Sequence, residues 1–154
     1  MIKICFVCLG NICRSPMAEF IMKDIVKKNN LESKIFIESR ATSYEETGNG
    51  IYPPAKKKLA EENIYYDNNK VSTRLEKEDL KKYDYIIGME ERNIINIERI
   101  LKTSDKKIKR LLDYSNNPRD IADPWYTGNF DKTYDDILEG CKFFIDFLIK
   151  NNIV

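Results

Sequence analysis

The fold of this chain is decided by one stretch near its start, Val7-Cys8-Leu9-Gly10-Asn11-Ile12-Cys13-Arg14-Ser15-Pro16. It follows an apolar run, Ile2 to Val7, that is typical of a buried strand. Ser15 is a favourable N-cap residue and Pro16 a favourable first residue of a helix. The stretch therefore predicts a strand, a tight loop and the N-terminus of a helix in direct succession.

The predicted loop places a cysteine and an arginine beside the backbone of a helix N-terminus. N–H groups there carry partial positive charge, which suits an oxyanion such as phosphate. Arg14 adds a planar, charged fork that can bind two phosphate oxygens, and Gly10 is expected to permit a backbone angle that a side chain resists. This field favours the thiolate of Cys8, the nucleophilic form. We predict an anion-binding loop with phosphate contacts from Leu9, Gly10, Asn11, Ile12 and Cys13.

Composition limits the remaining possibilities. The chain has 154 residues, which suits a single domain over residues 1–154. Its 26 basic and 25 acidic residues give a net charge of +1, so neither nucleic acid nor membrane is expected as a partner. The start, Met1 to Ile4, lacks the apolar stretch of a signal peptide, and a cytoplasmic location with reduced cysteines is expected.

The sequence contains no histidine. This excludes Cys-His and Ser-His nucleophilic pairs and histidine-based metal sites. A thiolate in this chain must be stabilised by the arginine and the loop amides. No metal or cofactor is expected.

Strand and helix patterns alternate along the chain. Strands are predicted at residues 2–7, 34–38, 83–89 and 107–112, and helices at 18–26, 55–62, 91–101 and 134–148. The segments 39–54 and 113–128 are predicted to be loops. Alternation of this kind predicts an α/β fold, a single-domain parallel sheet flanked by helices on both sides, whose ligands bind at the carboxyl ends of the strands. The anion-binding loop follows the first strand, as this arrangement requires.

Cys8-x5-Arg14-Ser15 resembles the signature of protein tyrosine phosphatases, and CLGNICRSP is similar to the low-molecular-weight branch. Two further segments match, Ser39-Arg40-Ala41-Thr42-Ser43 and Asp123-Pro124-Trp125-Tyr126, and the match in length and motif order covers essentially the whole chain. The resemblance implies hydrolysis of protein phosphotyrosine and small aryl phosphates through a phosphocysteine on Cys8. Expected partners are phosphotyrosine-containing proteins, with inorganic phosphate or similar oxyanions as product or inhibitor.

The resemblance assigns the general acid to Asp123. An aryl phosphate ester needs a proton on its leaving oxygen, and the same carboxylate can later accept one from the attacking water. Asp-Pro also commonly begins a turn, which is the simpler interpretation of this dipeptide. Asp120 is the less favoured candidate and is expected to be solvated or structural.

Aromatic residues near these motifs are candidates for the walls of a deep pocket. Trp125 and Tyr126 are expected at its rim, and Tyr44 is a further candidate, since aromatic faces can hold a phenyl ring. The simpler interpretation is that they are ordinary loop aromatics. Ile12 takes the position where related arginine phosphatases typically carry threonine, and isoleucine favours tyrosine as substrate.

Asn11, Ser15 and Ser39 are predicted to support the loop through side-chain hydrogen bonds. Ser15 could also donate to the Cys8 sulfur, although helix capping alone would explain a serine there. Many relatives have a histidine in this network. This chain has none, so that part of the network must be different here. The resemblance also implies that Cys13 can form a reversible disulfide with Cys8.

The other cysteines, Cys5 in the first strand and Cys141 on the last helix, are expected in the core. A second interpretation is a thiol-disulfide enzyme like the arsenate reductases that share this loop. Their relay needs a further cysteine pair in the second half of the chain, and that half of this chain offers only Cys141. A third is a non-catalytic anion-binding module, which leaves Cys8 and Asp123 without a purpose.

Overall fold

Four parallel strands form the centre of the computed structural model, which describes residues 1–154. In chain order they are β1 (Ile2–Cys8), β2 (Ile35–Ala41), β3 (Tyr85–Gly88) and β4 (Ile108–Arg110). Their order in the sheet is β2-β1-β3-β4, so the chain crosses over between neighbouring strands. The predicted parallel α/β sheet with an anion-binding loop after the first strand is confirmed.

The helices are α1 (Arg14–Lys28), α2 (Pro53–Glu61), α3 (Asp79–Lys82), α4 (Glu91–Leu101), α5 (Pro124–Thr127) and α6 (Phe130–Lys150), and a 3-10 turn spans Leu111–Tyr114. No helix is both long enough and apolar enough to cross a membrane.

Strand β1 contributes to two hydrophobic clusters, one on each face of the sheet, because its side chains alternate between the faces. Ile4, Phe6 and Cys8 belong to the larger cluster, which α1, α2 and α6 complete. Cys5 and Val7 belong to the smaller one, which α4 covers on the other face. Helices therefore cover both faces, and the buried strand fixes where its carboxyl end, Cys8, emerges.

Several predicted boundaries were wrong. Residues 39–41 extend β2 rather than begin a loop, because they continue the parallel ladder as far as the pair Cys8 and Ala41. The strand predicted at 107–112 ends at Arg110 and turns into the 3-10 segment. The loop predicted at 113–128 contains α5, which begins at Pro124 after an Asp123 N-cap. This is a Pro-first helix start that the sequence could have indicated.

The start of α1 also differs from the prediction. Cys13 is the N-cap residue and Arg14 the first helical residue, so Ser15 lies inside the first turn. The Ser15 side chain caps nothing; its Oγ lies 3.1 Å from Cys8 Sγ. The helix begins earlier because the loop turns directly into it, which brings the Ser15 N–H toward the sulfur.

Candidate active site

The Cys8 loop (residues 8–15) surrounds the Cys8 sulfur with hydrogen-bond donors. The backbone N–H groups of Asn11 and Ser15 point to Sγ at 3.3 and 3.4 Å, and Ser15 Oγ lies at 3.1 Å. Cys8 is 3 % exposed, at the floor of a pocket. Donors directed at a buried sulfur stabilise its negatively charged form.

Asn11, rather than Gly10, provides the unusual backbone angle of the loop. Asn11 has φ 57°, in the left-handed region that asparagine tolerates better than most residues. The role predicted for Gly10 was therefore wrong. Gly10 matters for space, since a Cβ at Gly10 would lie 3.3 Å from Glu46 Cγ.

The Asn11 side chain holds the underside of the loop. Its Nδ2 donates to Ser15 Oγ at 2.7 Å and to Ser39 Oγ at 3.0 Å, and its Oδ1 accepts from the backbone N–H of Thr73 at 3.2 Å. Because Ser15 Oγ already accepts from Asn11, its own hydrogen can point at the Cys8 sulfur, 3.1 Å away, or at the Arg40 carbonyl oxygen, 3.5 Å away. The structure thus brings together the three residues predicted to support the loop.

Glu19 and Lys70 extend this network, and sequence reasoning missed both. Ser39 Oγ donates to Glu19 Oε1 at 2.5 Å. Lys70 Nζ donates to the Ser39 carbonyl at 3.0 Å and lies 3.9 Å from Glu19 Oε1. Burial lowers the pKa of Lys70, and the Glu19 carboxylate opposes that effect. A lysine on the segment before Thr73 therefore contacts the serine of the support network in this histidine-free chain.

Ser72 ties the loop to the same segment from another side. Its Oγ donates to the Gly10 carbonyl at 2.8 Å, and Ser72 is 2 % exposed. The segment containing Lys70, Ser72 and Thr73 thus contacts the Cys8 loop through backbone and side chains. No motif in that segment indicates this role, because the contacts span about sixty residues of chain.

Arg14 is fixed by three partners. Its Nη1 donates to Glu90 Oε2 at 2.5 Å and to the Ile121 carbonyl at 2.8 Å, and its Nη2 donates to Asp123 Oδ2 at 3.3 Å. Burial lowers the pKa of Arg14, but the negative charges of Cys8, Asp123 and Glu90 outweigh it and the pKa is raised. The guanidinium is therefore a permanent, oriented charge in the wall of the pocket.

Glu90 is a functional candidate that the sequence analysis missed. It follows β3, the strand beside β1. Residues that follow neighbouring parallel strands lie together at the carboxyl edge of the sheet. Asn93, 1 % exposed, accepts from the backbone N–H groups of Met89 and Glu90 at 3.0 and 3.1 Å. The turn that carries Glu90 toward Arg14 is thereby held in shape.

Asp123 lies at the N-terminus of α5. Its Oδ1 accepts from the Trp125 N–H at 3.0 Å, while Oδ2 faces Arg14, and the residue lines the pocket above Cys8. Asp120 does not line the pocket. It accepts from the Glu91 N–H at 2.9 Å and from Arg110 Nη1 at 3.1 Å. Asp120 thus joins Arg110 to the start of α4 at the protein surface.

The pocket contains most of the residues predicted for phosphate and substrate contact. Its lining includes Leu9, Gly10, Ile12, Cys13, Trp125 and Tyr126. Trp125 packs on Tyr52, with ring centroids 4.8 Å apart, and the Tyr52 N–H donates to the Ile12 carbonyl at 2.9 Å. Tyr52 therefore connects the Cys8 loop with the aromatic wall.

Tyr44, which was predicted in the pocket wall, is not among the residues that line the pocket. Its ring stacks under the Arg74 guanidinium, 4.4 Å from the centroid, and its hydroxyl donates to Glu76 Oε1 at 3.2 Å. That cation–π contact holds the exposed ring against Arg74. The neighbouring residues Ser43, Glu45 and Glu46 line the pocket instead.

The comparisons with known proteins agree with this geometry. The chain belongs to the low molecular weight phosphotyrosine protein phosphatase family, whose model matches residues 3–153. It is 38% identical over 152 residues to the low molecular weight protein-tyrosine-phosphatase PtpA of Staphylococcus aureus (strain MRSA252), covering 98% of this chain and 96% of that protein.

Two solved structures show the same fold over nearly the whole chain. The crystal structure of YfkJ from Bacillus subtilis matches with a TM-score of 0.94 and 38% identity, covering 98% of this chain and 96% of that one. SP-PTP, a low molecular weight protein tyrosine phosphatase from Streptococcus pyogenes, matches with a TM-score of 0.84 and 42% identity, covering 97% and 93%.

Proposed function

We propose that this protein hydrolyses phosphotyrosine in proteins, and small aryl phosphates, through a phosphocysteine on Cys8. The observation that carries the proposal is the sulfur held by the donors of Asn11 and Ser15 in one pocket with Arg14 and Asp123. A nucleophile, a phosphate-binding cation and a proton donor thus converge on one point. The proposed chemistry requires neither a metal nor a cofactor.

In the first step the Cys8 thiolate attacks phosphorus while the bond to the phenolic oxygen breaks. Arg14 binds two oxygens of the transferred phosphoryl group, using donors that its contacts to Glu90 and Asp123 leave available. The amides of Leu9, Gly10, Ile12 and Cys13 are assigned to the same anion. Asp123 gives a proton to the departing phenolate.

In the second step water attacks phosphorus and Asp123 accepts its proton. The bond between sulfur and phosphorus breaks, and the Cys8 thiolate leaves with inorganic phosphate as the other product. Ser15 is placed to assist, since its hydroxyl lies 3.1 Å from the sulfur on which negative charge develops. The Asn11 and Ser39 contacts are assigned to holding that hydroxyl in position.

The proposal assigns Cys13 as a reversible redox partner of Cys8. Both line the pocket and both are free thiols. Burial raises the pKa of Cys13, and the charges of Cys8 and Asp123 raise it further. A peroxide can oxidise the Cys8 thiolate to a sulfenic acid. The Cys13 sulfur would then attack the Cys8 sulfur to form the disulfide, and the sulfenic hydroxyl would leave with the Cys13 proton as water. Four free cysteines also support a reducing, cytoplasmic setting.

The proposed activity is tested with a phosphotyrosine peptide, para-nitrophenyl phosphate and a phosphoarginine peptide, each with and without EDTA. We expect phosphate release from the first two, unchanged by EDTA, and much less from phosphoarginine because Ile12 lines the pocket. An arsenate reduction assay with thiol reductant is expected to show no turnover. Arsenate reduction without phosphate release, or loss of turnover in EDTA, would contradict the proposal.

The Arg14 assignment is tested by replacing Arg14 with lysine and with alanine. We expect Lys to be nearly as harmful as Ala, because lysine keeps the charge but loses the planar two-point contact with the phosphoryl oxygens. Lysine also cannot reproduce the separate contacts to Glu90, Ile121 and Asp123. The measurement is kcat and phosphate affinity for both variants, and near-parental activity of Arg14→Lys would show that charge alone suffices.

A further inference from the structure

The mouth of the pocket carries two carboxylates that no protein cation neutralises. Glu45 and Glu46 follow β2 and line the same pocket as Cys8 and Arg14. Neither glutamate forms an ion pair with a lysine or an arginine. The Glu46 carboxylate accepts only from Asn49 Nδ2, at 2.8 Å, and Glu45 is exposed.

The charge balance of the pocket makes these carboxylates unusual for an anion site. Arg14 is the single cation of its lining, and Arg14 already contacts Glu90 and Asp123. The backbone amides of the Cys8 loop compensate a phosphate at the floor. At the mouth, Glu45 and Glu46 create a negative field that repels acidic groups and attracts cations.

The loop that carries these glutamates is held against the Cys8 loop. The N–H of Thr42 donates to the Cys8 carbonyl and that of Ser43 to the Leu9 carbonyl, both at 3.0 Å. The stem of Glu46 lies over Gly10, close enough that a Cβ there would be 3.3 Å away. The backbone that carries the two glutamates is therefore held in place beside the Cys8 loop.

We propose that Glu45 and Glu46 select phosphotyrosine segments that carry lysine or arginine beside the phosphotyrosine. This inference rests on the proposed function and names the substrate class of the same pocket. The substrate supplies the cation that the mouth lacks, while the phosphate reaches Cys8. A segment with acidic neighbours meets two uncompensated carboxylates and is disfavoured.

The test compares three phosphotyrosine peptides that differ only in the flanking residues, which are lysine, alanine or glutamate. The kcat/KM of each is measured for the parent protein and for Glu45→Gln, Glu46→Gln and the double variant. We expect the parent to prefer the lysine peptide, and each substitution to reduce the ratio of lysine to glutamate peptide about two- to fivefold, as for exposed ion pairs. The preference is expected to shrink at high salt.

Glu32→Gln is the matched control. Glu32 is exposed and precedes β2, at the end of that strand opposite to the pocket. Its replacement by glutamine removes the same charge as the test substitutions. It should leave the peptide ratio unchanged. A parent without preference for lysine, or a double variant that keeps it, overturns the inference.

Para-nitrophenyl phosphate separates this result from the proposed function, because it has no flanking residues. If the parent hydrolyses that compound and the peptide ratio is flat, only the inference fails. If the parent hydrolyses neither the compound nor any peptide, the proposed function fails together with the inference.

Discussion

Replacement of Cys8 by serine is expected to reduce turnover of aryl phosphates to background while the protein stays folded. A serine hydroxyl is far less ionised than a thiol at neutral pH, so no comparable nucleophile remains. The groups around the sulfur are the backbone N–H groups of Asn11 and Ser15 and the Ser15 hydroxyl, and the substitution retains all three. Arg14 also keeps its contacts with Glu90 and Asp123.

Binding of phosphate or vanadate by Cys8→Ser should therefore persist, and this distinguishes a missing nucleophile from a collapsed loop. The measurements are phosphate release, the Kd of vanadate and the thermal unfolding midpoint of both proteins. Appreciable turnover in a preparation free of the parent protein would contradict the mechanism. Loss of both turnover and vanadate binding would instead show that the sulfur is needed to form the loop.

The main architecture was predictable because its causes are local. The buried strand before Cys8 and the helix after it follow from contiguous patterns in the sequence, and α4 and α6 follow from apolar periodicity. The nucleophile, the arginine and the Asp123 segment carry short motifs whose residue types indicate their chemistry. Residues 39–41 were assigned to a loop because their polar composition hides the parallel pairing with β1.

The remaining site residues could not be found from local patterns because long-range contacts position them. Glu19, Lys70 and Tyr52 approach the Cys8 loop through the tertiary fold, and none lies in a motif. Tyr44 has the aromatic character expected of a pocket wall, but its ring contacts Arg74 and is not part of the pocket lining. Pattern identifies residues that could act, and packing decides which of them face the pocket.

The contacts of Arg14 show why one motif specifies only part of the site. Cys8 and Arg14 are close in sequence, but the partners of the guanidinium come from the ends of β3 and the segment before α5. Parallel strands bring these segments to one edge of the sheet. The sheet therefore assembles the proposed catalytic groups, and the Cys8 loop supplies only the nucleophile, the amides and the arginine.

Replacement of Asp123 by asparagine is expected to slow aryl phosphates with poor leaving groups far more than those with acidic phenols. A phenol that leaves easily needs little help from a proton donor, whereas one good general acid is typically worth about 10²–10⁴-fold. Asparagine remains a favourable N-cap, and its Oδ1 can still accept from the Trp125 N–H. The start of α5 should thus survive while the proton donor is lost.

Asp120→Asn is the matched control for this substitution. Asp120 is three residues away, has a half-exposed side chain and contacts Arg110 and the Glu91 N–H outside the pocket. The control should keep the leaving-group dependence of the parent.

The measurement is rate against the pKa of the leaving phenol, at fixed pH, for the parent and both variants, with phosphate affinity recorded alongside. Unchanged affinity would show that Arg14 keeps its orientation without the Asp123 carboxylate, whose oxygen lies 3.3 Å from Nη2. A steeper slope for Asp123→Asn alone places the proton donor at the N-terminus of α5. A uniform loss across the phenols, or a steeper slope for Asp120→Asn, would assign the acid elsewhere.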